Sequence, residues 1–542
     1  MKSAVAASML LTAFFSLPLC ATDYQPGWPK AMWSLHFTLA DVDSDPEPEL
    51  LVANFEMYAF NSDGSNSMNW SPSDYVLPGD RPLVGDIDGD GEVDIVYAGD
   101  VQGASSQWYH AVSAAGVQKP GWPILVDVHL TPLQPSRCLA DLDGDGDDEF
   151  LVLGKVDQRQ LNAFNDDGTP MPGWPIVVPV DVSPTQSLFW TSLSAGDVDF
   201  DGSPEIAIGL YMREGASLIP SPFVLLDSNG NAKDGWPSTP PFPLSWQQFL
   251  HPMIADLSGN LQCEIFGAGF NDFHSFRADG TAYLPPLAAP YASRPGACGD
   301  IDGDGDLEVV MPGERLKIFS SQGILLAQTD PTTHWLYEGI TLGDVNGDGI
   351  QEICALSGRL GSSSEMWIHL FDQNLNELPT WPKPLPGNVI SNHKMTALAD
   401  LDGDNDIEVI TSYGGFIHVW DEPNTTGGPI STEWPMWGHN PKRNNFYHEG
   451  NIPIRRHLPG DVNGDEVLDL SDPIELLTHL FVAAQIEPCL AAFDFNDTGS
   501  VDLADPITIL SYLFAGALPP AGVPQCGSSN TSPLPCARTG CP

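Results

Sequence analysis

The chain has 542 residues, with 21 Lys and Arg against 72 Asp and Glu and a formal net charge of −51. That imbalance excludes nucleic acid and anionic membrane as partners, and the length exceeds one ordinary core. Hydrophobic residues still make up 42% of the chain, and the acids cluster between apolar runs, which excludes a disordered polyanion.

Residues 1–21 open with Lys2, continue through an apolar run and end at Leu19, Cys20 and Ala21. This reads as a secretory signal cleaved near Ala21, for a secreted or cell-surface protein. No later run reaches the ~18 apolar residues a membrane span needs.

Residues 22–449 are built on a nine-residue acidic pattern written eight times. The copies start at Asp41, Asp86, Asp141, Asp197, Asp256, Asp300, Asp344 and Asp400, at spacings of 44 to 59 residues. Repeats of that length suit propeller blades. In each unit an apolar strand enters the loop, as at 138–140, and another leaves it, as at 149–153. An alternating strand then ends in an Asp-Gly or Asn-Gly turn, as at 161–168, 223–230 and 273–280. A last short segment carries Gly-Trp-Pro at 121–123, 173–175 and 235–237, with a Thr380 variant. Four short antiparallel strands per unit, repeated about eight times, close into a ring. The expected fold is mainly β, an eight-bladed propeller, with seven blades as the alternative. The Trp residues are expected to pack between blades. Either Gly27-Trp28-Pro29 or the stretch Glu433–Trp437 is expected to complete the terminal blade and latch the ring.

The loops carry the chemistry. Side chains at positions 1, 3, 5 and 9 offer only oxygen, at alternate positions, which suits a hard ion taking six to eight oxygens, namely Ca²⁺. The candidate ligands are Asp41, Asp43, Asp45 and Glu49; Asp86, Asp88, Asp90 and Asp94; Asp141, Asp143, Asp145 and Glu149; and Asp197, Asp199, Asp201 and Glu205. Further along they are Asp300, Asp302, Asp304 and Glu308; Asp344, Asn346, Asp348 and Glu352; and Asp400, Asp402, Asp404 and Glu408. The position-7 carbonyl is expected as a further ligand. Position 6 needs a residue that tolerates positive φ, and Gly91, Gly146, Gly202, Gly305, Gly349 and Asn405 supply it. Two copies depart. The loop from Asp256 to Glu264 has only two carboxylates and should bind weakly or not at all. In the first loop, Pro46 stands at position 6 and cannot take positive φ.

After a linker at 450–458 the pattern changes. Residues 459–527 hold a tandem duplication at an offset of 33 residues. Each copy has its last acid at loop position 12, followed by Pro473 or Pro506 opening an apolar helical pattern. The candidate ligands are Asp461, Asn463, Asp465, Asp469 and Asp472, then Asp494, Asn496, Thr498, Asp502 and Asp505, with backbone oxygens at Val467 and Ser500. The tail, 528–542, is rich in Ser, Pro and Gly and is expected to be poorly ordered. In all, about seven to ten Ca²⁺ ions are expected.

These motifs carry a resemblance. Residues 22–449, through their acidic loops, resemble FG-GAP/VCBS repeat proteins, the calcium-loop propellers that include the integrin α-subunit head. Residues 459–527 resemble a dockerin type I module, a pair of calcium-loop–helix repeats. That likeness implies docking onto a cohesin-like or cell-surface protein and a link to polysaccharide breakdown. The loop acids match the dockerin pattern. Positions 10 and 11, Leu470-Ser471 and Leu503-Ala504, and the helix residues Thr478-His479 and Ser511-Tyr512 depart from its recognition residues. Cys489 and Cys526 follow equivalent helices of the two repeats and are the first choice for a disulfide. Cys138, Cys263, Cys298 and Cys354 read as buried apolar residues.

No phosphate loop, nucleophile elbow or zinc-ligand spacing occurs, and metal binding already accounts for the paired carboxylates. His439, Lys442 and Arg443 are read as the polar end of the closing blade. The sequence therefore supports an exported, non-catalytic binding, adhesion or assembly module. The alternative is a calcium-dependent polysaccharide-active enzyme, a lyase or hydrolase. The feature that would separate them is whether Arg, Lys, His and Tyr converge in one cleft on the ring face.

Overall fold

The computed structural model describes residues 24–447, apart from 33–35, 44, 46, 69–75, 78–79, 103–105, 129–135, 216, 220–222, 239–251, 261, 269–271, 289, 291–295, 331–334, 360–365, 387–394, 429 and 437. Of the C-terminal region it describes 470, 473–474, 476–477 and 503–515. The expected signal peptide, linker and tail lie outside these residues.

The strands pair into eight antiparallel sheets, each built mainly from consecutive segments. The third blade is representative: Arg137–Ala140 lies innermost, followed outward by Glu149–Leu153, Gln160–Phe164 and Ile176–Val177. The blade number is thus eight, and the seven-bladed alternative falls away. The second strand of a blade is covered on both faces by its neighbours. Glu49–Ala53 and Glu149–Leu153 are buried at every position, which is why they read as continuous apolar runs instead of alternating ones. The core lies between blades: Tyr109 and Trp122 of the second blade share one apolar cluster with Leu139, Phe150 and Val152 of the third. Burying a side chain such as Phe150 stabilises the pair of blades by roughly 2–3 kcal/mol.

The Trp residues staple one blade to the next. Trp28, Trp122, Trp174, Trp236 and Trp381 are all buried. The indole N–H of Trp122 donates to the Asp166 carbonyl at 2.7 Å, and that of Trp236 to the Ala278 carbonyl at 2.7 Å. The N-terminal segment closes the ring: Lys30–Ala31 pairs with Phe416–Glu422, so the first strand of the chain becomes the outer strand of the eighth blade.

The segment after the last blade does something the sequence did not suggest. Ser431–Trp434 adds a fifth strand to the seventh blade, against its innermost strand Trp335–Asp344. The chain then runs round the axis. The Pro435, Pro441, Lys442, Asn444 and Asn445 carbonyls accept from the Leu398, Val84, Leu139, Ala195 and Ile254 amides, in the eighth, second, third, fourth and fifth blades, at 2.9–3.1 Å. Arg443 donates to the Phe37 carbonyl in the first blade, and Glu433 accepts from the Asp300 amide at the end of the sixth blade's inner strand, both at 2.7 Å. Every blade is therefore tied to one axial plug. At Gly196 a Cβ would lie 2.4 Å from the Phe446 ring, so only glycine lets the plug approach there. His439, expected at the polar end of a closing blade, is instead buried on the axis, 4.8 Å from the Trp434 ring. The correction follows from the tie itself. Inner-strand amides have no further strand to bond, and a buried amide must find an acceptor.

In the C-terminal region a helix spans Ala504–Ala515, with Pro506 in its first turn. Pro473 and Ile474 are helical at the equivalent place in the first repeat, and Leu476 and Ile509, 33 residues apart, are both buried.

Candidate metal centres

Each acidic loop joins an innermost strand to the second strand of its blade, and its shape comes from its own carboxylates. In the eighth loop Asp400 accepts backbone N–H bonds from Gly403 at 2.7 Å and Asn405 at 3.0 Å. Asp404 accepts from Asp406, and Glu408 Oε2 accepts from Leu401 at 2.6 Å. The same bonds recur from Asp86, Asp141, Asp197, Asp300 and Asp344 at position 1. They recur from Glu49, Asp94, Glu149, Glu205, Glu264, Glu308 and Glu352 at position 9. Position 6 takes positive φ as expected, 84° at Gly91 and 70° at Asn405. Position 4 does so as well, a requirement not read from the sequence, and in the fourth loop Phe200 meets it at 54°.

The position-9 bond uses one carboxylate oxygen and aims the other into the loop. There the acids gather. One oxygen from each of Asp143, Asp145, Asp147 and Glu149 lies within 4.8 Å of the others. The same holds for Asp41, Asp43 and Glu49; for Asp86, Asp88 and Asp94; for Asp197, Asp199 and Glu205; and for Asp300, Asp302 and Asp304. The first loop thus assembles three acids despite Pro46. Asp147, at position 7, joins a group in which only its carbonyl was expected. The fifth loop buries Asp256 and Glu264 without a third acid between them. Of the second design, Asp505 lies in the first turn of the helix. Asp461, Asn463, Asp465, Asp469, Asp472, Asp494, Asn496, Thr498 and Asp502 lie outside the described residues.

Burial makes these groups poor anions on their own. Desolvation, reinforced by neighbouring Asp residues, pushes Glu408 up to about 9 and Glu149, Glu308 and Glu352 up to about 8. Glu408 Oε1 is buried with no hydrogen-bond partner. A buried carboxylate oxygen left unmatched is costly, and a cation among Asp400, Asp402, Asp404 and Glu408 would satisfy it. The donor set fits a hard divalent ion.

Among the described residues, two loops already hold a lysine between their position-3 and position-9 acids. Lys119 Nζ lies 2.6 Å from Asp88 and 2.8 Å from Asp94, and Lys233 Nζ lies 2.9 Å from Asp199 and 2.8 Å from Glu205. Sequence reasoning missed both lysines. The signal was there: each is the third residue before a Trp-Pro pair. Gln25 holds the same place before Trp28 and donates to Asp402 at 2.9 Å.

Basic and aromatic side chains do meet near the axis. Arg137 pairs with Asp80, lies 5.4 Å from the Tyr109 ring and donates to the Arg81 carbonyl at 2.9 Å. Arg81 lies 3.2 Å from His36 Nε2. Arg137 and Tyr109 are buried, so this is an interior ion pair, not an open cleft. Cys138, Cys263, Cys298 and Cys354 are buried, as expected. Among the described residues no helix is long and apolar enough to cross a membrane.

No family model and no curated protein matches the sequence. Some solved structures are similar to it in part. A Bacillus licheniformis rhamnogalacturonan lyase is 18% identical with a TM-score of 0.44, covering 79% of this chain and 83% of its own. The rhamnogalacturonan lyase YesW is 17% identical with a TM-score of 0.44, at 74% of each chain. The V. cholerae biofilm matrix protein Bap1 is 12% identical with a TM-score of 0.38, covering 75% of this chain and 92% of its own.

Proposed function

We propose that this chain is an exported binding, adhesion or assembly module. Its propeller is an FG-GAP/VCBS-type platform stiffened by Ca²⁺ in the acidic loops. Its C-terminal paired loop–helix module, dockerin-like over 459–527, docks a cohesin-like or cell-surface protein, in the setting of extracellular polysaccharide breakdown. The observation that carries this reading is the axial plug. The ring's centre is occupied by residues 431–447, bonded to all eight blades, which leaves outer surfaces for binding partners. The loop acids are committed to their loops and the Arg137–Tyr109 contact is buried, so neither supplies a general base at an open surface.

The alternative is a polysaccharide lyase or hydrolase. One experiment addresses both. The full chain is incubated with a panel of acidic polysaccharides, with and without chelator. Retention on the immobilised polymers and unsaturated-uronate absorbance with reducing ends are both followed. Retention without product is expected. Product above background that disappears on chelation overturns the binding-only reading.

A further inference from the structure

We propose that Lys119 and Lys233 are the resident cations of the second and fourth loops, which therefore hold their shape without a divalent ion. This rests on reading the other acidic loops as divalent-ion sites. Each ammonium sits between the carboxylates of positions 3 and 9, at 2.6–2.9 Å. The second oxygen of each position-9 acid is already committed to a backbone amide, Ile87 for Asp94 and Val198 for Glu205. The oxygen left to face the loop is the one the lysine holds. A divalent ion bonds oxygen at about 2.3–2.6 Å, so it would share those oxygens with an ammonium one van der Waals contact away. Like charges at that separation exclude each other, and the tethered one has the advantage of effective concentration.

The lysines are placed, not adventitious. Lys119 donates its backbone N–H to Ala111 and accepts from Trp122, and Lys233 does the same with Leu225 and Trp236. Met171 and Leu378 make the same two bonds in the third and seventh blades, with Ala163 and Trp174 and with Leu370 and Trp381. One blade position thus decides which loops carry their own charge, lysine in two blades and an uncharged side chain in others. The two lysine loops include one of the cleanest acidic copies, Asp86 to Asp94, so sequence alone ranks it among the best metal sites.

The test counts bound calcium per full chain by native mass spectrometry after equilibration in Ca²⁺. The proteins are the wild type, Lys119→Met, Lys233→Met, the double variant carrying both, and Met171→Lys. Each Lys→Met variant is expected to gain one ion, the double variant two, and Met171→Lys to lose one by bringing an ammonium to the third loop. A wild type that binds several ions while the Lys→Met variants bind the same number overturns the lysine assignment. So does a Met171→Lys protein that loses none, which keeps the test decisive should the Lys→Met proteins not fold. A wild type that binds no calcium overturns the metal reading itself, a distinct result.

Discussion

The acidic loops and the axis are the two places where all eight blades meet buried polar groups, and they satisfy them by opposite means. In the loops, carboxylates such as Glu408 are aimed at one another, and the chain supplies no partner for the buried oxygen. At the axis the chain itself supplies the acceptors for the inner-strand amides. Inner-strand amides bond plug carbonyls, and Arg443 donates to Phe37 and Thr38. A structure whose polar groups depend on an external ion is removable at will. One whose partners are covalently part of the chain is not. Lys119 and Lys233 are the middle case, loops that have adopted the axial solution.

Chelation should therefore separate the two regions, and it is the largest effect expected. Each ion held at a hundredfold excess over its Kd adds about 2.7 kcal/mol. Removing several should lower the melting temperature by ~10 °C or more. The plug should stay bonded until the whole ring melts. Calorimetry with and without chelator, with hydrogen exchange followed at residues 431–447, tests both statements. A melt indifferent to chelator would remove the cation from the comparison.

Breaking the axis should cost stability whether or not calcium is present. Phe446 is buried against Val198 and Ile254 and fills the space above Gly196. Phe446→Ala is expected to destabilise by about 3–4 kcal/mol, with the same calcium increment as the wild type. A loss that vanishes in chelator would mean that plug and loops are one unit.

Much of this division was legible in the sequence, and the illegible part has a physical reason. The repeat fold, the strand order around each loop and the two candidate latches follow from patterns within a single repeat or at its edge, while the choice of eight blades over seven and of the N-terminal latch came from the strand pairing. The plug follows from no such pattern. Most of its bonds run from backbone to backbone between residues far apart in the chain, Val84 to Pro441 being the longest such reach, and backbone bonding leaves no mark on side-chain pattern. The lysines fall between these cases. Lys119 stands 31 residues after Asp88, one hairpin away, so the charge was visible while its destination was not.

The N-terminal latch lies outside both regions and offers a pH handle on neither. His418 is buried on the strand that receives Lys30–Ala31, stacked on Trp420, with its Nδ1 3.1 Å from the Tyr24 hydroxyl. Burial pulls its imidazole down from 6.5 to about 4. On acidification the unfolded chain takes up this proton first. The stability from keeping the ring neutral is thus complete above about pH 6.5 and is lost as pH falls toward 4, by up to about 3 kcal/mol. His418→Phe should flatten the stability between pH 7 and 5 relative to wild type, measured by denaturant midpoints in saturating calcium. Equal slopes would place the acid sensitivity elsewhere.

The smallest expected effect concerns the rim, where blades are stapled by neither ion nor plug. Trp122 donates to the Asp166 carbonyl across the second and third blades. Trp122→Phe keeps most of the packing and removes that bond, so about 1 kcal/mol should be lost. The loss should be equal with calcium and with chelator, because the staple touches no loop acid. Unequal losses would show that the second loop feels the staple three residues from Lys119. The lysine's hold on Asp88 and Asp94 would then depend on the indole that fixes its backbone, which Lys119→Met in the Trp122→Phe background would reveal as non-additivity.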